Sequence, residues 1–379
     1  MKDKVLHIFA SVTRTLLGIV FIFSGFVKAI DPLGTVYKIE DYLKAFGGFF
    51  TDLLPLAEVA AVILITVEFT LGVMMLCNIR TNWTAWLALA FYAVMTPLTL
   101  FIALTNPISD CGCFGDAIVL SNWATFWKNV VLIVLVIILL CTKRALRQTF
   151  TGVAEFGITV LAILFVVIWM EVTWRHLPAI DFRPYKIGNN IPELMTVPEG
   201  AEPDVYDIKL IYAKDGVEQE FTLQDYPKGD STWTFVDQKS VLVKKGYEAP
   251  IHDFEILTMD FEDITYDILE SEEPVTLVIM YDLQKTDCKQ LDKLGSLCLE
   301  KVLLGKKMYF LTGSGEEEIY AFAAEIGMSE EDAQEMFCYT DPVTLKTIVR
   351  ANPGVIVVQN GNIIDKYNTR QIDKHQQLN

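Results

Sequence analysis

Histidine is scarce in this chain. His7, His176, His252 and His375 are the only four, and none lies close in sequence to a cysteine pair. An imidazole-assisted metal site is therefore not expected. A basic excess is missing as well. The net charge is −17, which repels nucleic acid and argues against it as a partner. No internal repeat and no low-complexity tract is present. The absence of inverted repeats, with few charges inside the apolar runs, weakens a transporter reading. No small-residue cleavage site follows the first apolar run, so that run reads as a retained helix rather than a signal peptide.

What is abundant is apolar sequence. Of the 379 residues 52% are hydrophobic. Five runs, Val5–Ile30, Leu53–Cys77, Trp83–Leu104, Ala124–Cys141 and Val153–Trp169, approach the roughly 20 residues that a bilayer requires. Lys2, Lys4, Arg80, Lys143, Arg144 and Arg147 all fall on one side of such a set. The positive-inside rule then predicts a cytoplasmic N-terminus and an extracytoplasmic C-terminal half. Charge divides along the chain. Residues 1–171 carry 11 basic and 11 acidic residues, so the entire net −17 lies downstream.

Between the third and fourth runs stands Asp110-Cys111-Gly112-Cys113-Phe114-Gly115-Asp116. Cysteines at i and i+2 have Cα atoms roughly 5.5–7 Å apart, within reach of a disulfide. Gly112 permits the bend that so small a ring demands. A strained ring of this kind suits exchange better than stapling. A structural clip remains open at this stage. So does a soft-metal site, although two thiolates alone half-fill a tetrahedron, and no metal is predicted. Asp110 and Asp116 are expected to raise the thiol pKa values and disfavour the thiolate.

Charges inside the runs form the second candidate group. Arg14 and Glu68 each lie about nine residues from the inner ends of their runs, a depth of roughly 13 Å by helical rise, and are expected to pair with each other. Lys28, Glu58 and Lys128 lie near the outer ends and are expected to cluster beneath the cysteines, as a quinone or proton site. Asp31-Pro32 reads as a helix end. Trp83, Trp123, Trp127, Trp169 and Trp174 read as interfacial anchors.

Downstream, residues 172–190 read as a linker. A β pattern follows, with Asp207–Tyr212 and Glu218–Leu223 around the turn Lys214-Asp215-Gly216, and Trp233–Val236 with Ser240–Val243 as a second pair. From Pro250 strands and helices alternate: strand Val275–Tyr281, helix Asp287–Val302, strand Lys307–Leu311, helix Glu316–Ile326, then strands Val355–Val358 and Ile363–Tyr367 about an Asn360-Gly361 turn.

Two resemblances rest on these residues. Arg14, the run from Leu17 to Pro32, Glu58, Glu68 and the Cys-Gly-Cys-Phe-Gly-Asp loop resemble the DoxX/MauE family of four-helix membrane proteins, which implies thiol and disulfide chemistry at a membrane, in some cases with quinones. Residues 250–379 resemble a thioredoxin-like domain, with Asn352-Pro353-Gly354 similar to that family's cis-proline loop. Lys285 takes the place of the exposed nucleophile, and Cys288 that of the second cysteine, so the resemblance implies a degenerate domain that binds partners rather than cycling a dithiol. The combination is similar to proteins of the Bacteroidetes.

The expectation is therefore a multi-domain chain, with an all-α transmembrane bundle of 4+1 helices and an extracytoplasmic α/β thioredoxin-like domain. Residues 1–142 form the four-helix membrane domain. Residues 143–171 are a cytoplasmic loop and fifth span, 172–249 a linker and β-rich segment, and 250–379 the degenerate domain. It reads as a bacterial inner-membrane redox protein. Cys111 and Cys113 would pass electrons from an extracytoplasmic protein dithiol in the periplasm to a membrane quinone. A non-catalytic scaffold is the alternative.

Overall fold

The computed structural model describes residues 2–375 apart from 109, 148, 199, 203–204, 215–216, 223–227, 229–231, 245, 248 and 288–290. Its N-terminal half is helical. The elements are α1 (Lys2–Ile30), α2 (Pro32–Phe46), α3 (Ala57–Leu76), α4 (Thr81–Thr105), α5 (Asn122–Thr142) and α6 (Gly152–Arg175). Five segments, Lys4–Ile30, Gly48–Leu76, Thr81–Thr105, Asn122–Ala145 and Gly152–Arg175, are long and apolar enough to cross a bilayer. The chain is a multi-pass membrane protein. Each span outruns the apolar run that signals it, because polar caps and Trp-bearing first turns continue the helix. Trp83 and Trp123 lie in the first turns of α4 and α5.

Small residues set the closest packing. A Cβ on Gly25 would meet the Phe69 backbone nitrogen at 2.6 Å, and one on Gly72 would meet that of Ile22 at 2.5 Å. The backbones of α1 and α3 therefore touch, as small-residue contacts allow between helices in lipid. They run antiparallel with residue 25 level with 69, and 22 level with 72. This register decides which charges meet.

Helix α2 is an addition to the expected fold. Asp31 caps its start by accepting from the Gly34 amide at 3.0 Å. Pro32 occupies the first turn, where a missing N–H costs nothing.

The C-terminal half carries two sheets. After the short α7 (Ile191–Met195), β1 (Val205–Lys214), β2 (Val217–Thr222) and β3 (Thr234–Lys244) form an antiparallel sheet of order β2-β1-β3. The expected second hairpin is instead the single strand β3. Its polar middle, Asp237-Gln238-Lys239, stays paired with Ile211, Leu210 and Lys209 of β1. The Asp215-Gly216 turn lies outside the described residues.

The larger sheet holds β4 (Leu257–Thr258), β5 (Val275–Met280), β6 (Met308–Thr312), β7 (Phe337–Tyr339), β8 (Gly354–Gln359) and β9 (Asn362–Asn368) in the order β4-β7-β6-β5-β8-β9. Strand β5 is buried along its whole length, as its unbroken apolar run requires. It pairs parallel with β6 and antiparallel with β8. The β8–β9 turn has positive φ at Asn360 and Gly361, the two-residue hairpin geometry. The helices are α8 (Thr265–Leu269), α9 (Leu291–Leu303), α10 (Glu316–Glu325), α11 (Glu330–Met336), α12 (Pro342–Ile348) and α13 (Ile372–His375). The short strands β4 and β7 carry too few residues for an alternation to register.

An odd number of spans brings this half to the end of the bundle that carries the Cys111–Cys113 loop. The two meet through Arg350, which contacts Asp31 and Asp116.

Candidate functional site

The α4–α5 loop is held from below and from the side. Gly112 has φ +64°, and a Cβ there would meet the Lys38 side chain at 2.8 Å, so this position needs glycine on two counts. The Gly112 amide donates to Asp110 Oδ1 at 2.8 Å, and Lys38 Nζ pairs with Asp110 Oδ2 at 3.0 Å. Tyr42 Oη on α2 donates to the Cys111 carbonyl at 2.7 Å. The Ser24 hydroxyl on α1 lies 2.8 Å from the Cys113 carbonyl. The two Sγ atoms are 2.9 Å apart.

Under the loop lies a cavity of about 360 Å³, walled by α1, α2, α3, α4 and α5. Its lining is chiefly apolar, with Phe21, Val27, Leu64, Phe91 and Met95. The polar groups are few, which is the composition expected of a small-molecule site. The main one is Lys28, whose Nζ lies 2.7 and 2.8 Å from the two carboxylate oxygens of Glu68. Their side chains are only 6% and 5% exposed. Ser24 joins them, accepting from Lys28 at 3.0 Å and lying 2.9 Å from Glu68. Its one proton serves Glu68 or the Cys113 carbonyl at any moment, so the hydroxyl links the buried pair to the loop. Tyr92 and Asn129 also line the space, and Lys128 stands over the Phe114 ring at 4.3 Å.

This geometry corrects three expectations. Glu68 pairs with Lys28, not with Arg14. The register that sets residue 25 beside 69 brings Lys28 and Glu68 to one level, whereas Arg14 reaches the last turn of α3. There it donates to the Met75 carbonyl and, at 2.8 Å, to that of Leu76, a favourable place for a cation. Glu58 does not join the cluster. The buried face of α3 runs through Ala57, Ala61, Ile65, Glu68 and Gly72, and Glu58 falls off that stripe and is exposed. The flanking aspartates do not act on the cysteines as expected, because each is held by a cation: Asp110 by Lys38, Asp116 by Arg350 at 3.2 Å.

The thiols are accordingly unequal. A hydrogen bond from the Cys111 thiol, then Lys128 and Lys28, hold Cys113 below the ordinary thiol range against the opposing effect of burial. The same hydrogen bond, with burial, raises Cys111. Of the two sulfurs, Cys113 is the one whose surroundings better support a negative charge. Among the described residues, no group of three His, Cys, Asp or Glu side chains is arranged to hold a metal ion.

Residues 6–142 match the family model of the methylamine utilisation protein MauE. The MauE-like region thus takes in the first four spans, the cavity and both cysteines. Residues 206–245, which contain β2 and most of the sheet around it, match the model of a domain of unknown function, DUF8463. No curated protein and no solved structure matches the chain.

Outside the MauE-like region, Lys285 pairs with Asp282 at 3.0 Å on an exposed turn after β5, and Cys288 lies outside the described residues. The peptide before Pro353 is cis. The Asn352 side chain donates to the Asp282 carbonyl at 2.7 Å, and the Asp287 amide donates to the Asn352 carbonyl at 3.0 Å, so the Pro353 loop abuts the segment after β5. Ser24, Lys38, Tyr42 and Arg350 are site residues that sequence reasoning missed. Asp31, read only as a helix end, both caps α2 and binds Arg350 at 2.8 Å.

Proposed function

We propose that this is a membrane thiol–disulfide redox protein that carries electrons from a protein dithiol to a membrane quinone. One observation carries the reading: a cysteine pair with one stabilised thiolate at the top of an apolar intramembrane cavity floored by a buried Lys28–Glu68 pair. The match of residues 6–142 to MauE is in keeping with a membrane redox or assembly role.

The chemistry balances as follows. A client thiolate attacks the Cys111 sulfur of the Cys111–Cys113 disulfide. Cys113 leaves as the thiolate, favoured because the lower-pKa thiol is the better leaving group. The second client thiol loses its proton and resolves the mixed disulfide, freeing Cys111. The client has lost two electrons and two protons, and the loop has gained two electrons. Closing the loop disulfide passes two electrons to a membrane quinone, and two protons, one carried by the Cys111 thiol and one relayed through the cavity in place of those the client released, complete the hydroquinone. Lys28, Glu68 and Ser24 hold and hand on protons in the cavity, and Lys128 steadies the thiolate.

The orientation belongs to the same proposal. The basic residues at the opposite end of the bundle support a cytoplasmic N-terminus, with the loop and the C-terminal half in the periplasm of a bacterial inner-membrane protein. The C-terminal domain reads as a degenerate thioredoxin-like module that presents or selects the client. Its support is a central strand between a parallel and an antiparallel neighbour, with the Pro353 loop set against the segment that follows.

The test is thiol trapping with a mass tag on purified protein before and after adding a quinone. Quinone-dependent loss of two reactive thiols, abolished by Cys111→Ser, is expected. Thiols that stay unchanged would overturn the redox reading. They would favour a second reading, a non-catalytic scaffold, which the docking of a domain with Lys285 in place of a cysteine supports.

A further inference from the structure

The two halves of the protein are joined by a narrow polar contact that crosses the mouth of the cavity. Arg350, at the end of α12, reaches Asp31 Oδ2 at 2.8 Å and Asp116 Oδ2 at 3.2 Å. Asp31 and Asp116 both line the cavity, so the guanidinium spans its rim. The approach is close: a Cβ on Gly34 would lie 3.1 Å from Arg350 Nη2. Around it the contact is aromatic and cationic. Tyr37 and Tyr281 meet through their hydroxyls at 3.3 Å, and Lys346 lies over both rings at 4.9 and 5.3 Å.

The covalent connection between the halves is short and is fixed on each side. Thr173 donates to the Ala29 carbonyl at 3.1 Å, tying α6 to α1. At Asp181 the chain joins the body of the larger sheet. Asp181 takes Lys366 at 2.7 Å, and Arg183 donates to the Thr347 carbonyl at 3.0 Å. Tyr185 and Ile191 enter the core of that sheet. Leu177 already packs against that core, so only residues 178–180 are left between the two bodies.

We infer that Arg350 is a releasable latch, that the C-terminal domain swings about residues 178–180, and that this opening admits a protein-sized thiol client to Cys111. The inference rests on the reading of the loop as the reactive site. An inter-domain contact built from ion pairs and ring edges resembles a transient protein interface, and relative motion of such domains is the ordinary behaviour. The latch is also self-consistent in charge. One arginine pairs with two aspartates, so its removal takes away both ion pairs across the contact at once and leaves the more distant Arg183 as the cation acting on them.

The experiment uses the full-length protein in detergent after reduction. The peptide bearing Cys111 and Cys113 is followed by mass spectrometry during reaction with a bulky polymer-linked maleimide and, separately, with a small one. Arg350→Gln is expected to speed the bulky reagent at least about tenfold and the small one much less, as sub-global opening does. Asp116→Asn should give a smaller increase in the same direction. Arg370→Gln, which removes an ion pair with Asp287 away from the contact, should leave both rates unchanged. A bis-maleimide bridge between Tyr37→Cys and Tyr281→Cys, formed while the Cys111–Cys113 disulfide is closed and before the reduction step, should hold the bulky rate at or below the wild-type value even with Arg350→Gln, which separates release from unfolding. If Arg350→Gln labels at the wild-type rate while its melting is unchanged, or if the bridged protein labels as fast as the open one, the latch is wrong. These rates need no quinone, so they can fail or hold independently of the thiol-oxidation assay.

Discussion

Two groups of cysteines in this chain sit in contrasting surroundings. In the bundle, Cys111 and Cys113 are adjacent, gripped by three elements, flanked by Lys28 and Lys128, and open onto a cavity. In the C-terminal domain, Cys338 is fully buried on β7, with burial raising its pKa to about 12, and Cys298 is raised in the same way. Those are core side chains. Thiol reactivity follows electrostatic setting and not count, and the proposed redox role falls to the half of the protein whose fold is the plainer one. A domain shape says little about where the chemistry is.

The largest test of this contrast is to break the buried pair. Lys28→Met alone leaves Glu68 uncompensated and should cost about 3–5 kcal/mol, whereas Lys28→Met with Glu68→Leu should recover most of it. Thermal unfolding in detergent measures both. If the double variant is stable yet no longer reoxidised by quinone, the pair acts in the cavity and not only in packing. If the single variant melts like the wild type, the pair is not buried in the membrane protein as described.

Overpacking the α1–α3 contact comes next. Gly72→Leu should destabilise by about 1–3 kcal/mol or more, with Gly152→Leu, where nothing lies within 4 Å of the added Cβ, as the silent control. A third test concerns acidity. Cys113 is held below the ordinary thiol range, so alkylation should stay fast as pH falls below about 8 and fade only as pH drops through the lowered value. Lys128→Met removes part of that support and should move the profile toward higher pH. An unchanged profile would remove Lys128 from the site. The smallest effect belongs to Glu58→Gln on the exposed side of α3, which should change stability by less than about 0.5 kcal/mol and leave quinone-dependent oxidation untouched.

How much of this was legible in the sequence depended on distance along the chain. Apolar runs and the central strand Val275–Met280 are local patterns, and they were readable. So was the Cys-Gly-Cys loop. Helix α2 was missed because Asp31-Pro32 reads equally as the end of one helix and the start of the next. The Lys28–Glu68 pair was missed because depth was measured from the ends of apolar runs. The glycines at 18, 25 and 72 held the better signal, since they fix where two helices touch. Nothing local points to Arg350, 319 residues from its partner Asp31. Such contacts arise only once both halves have folded.

The touching backbones of α1 and α3 have a consequence for how this protein can change over time. Where two helices are locked at glycine, neither can slide or turn. One residue inserted between Gly25 and Lys28 would rotate the lysine by about 100° and aim its ammonium at lipid or at another helix. Length variation is thus barred from that short stretch, while loops such as 47–48, where added side chains meet open space, can absorb it freely.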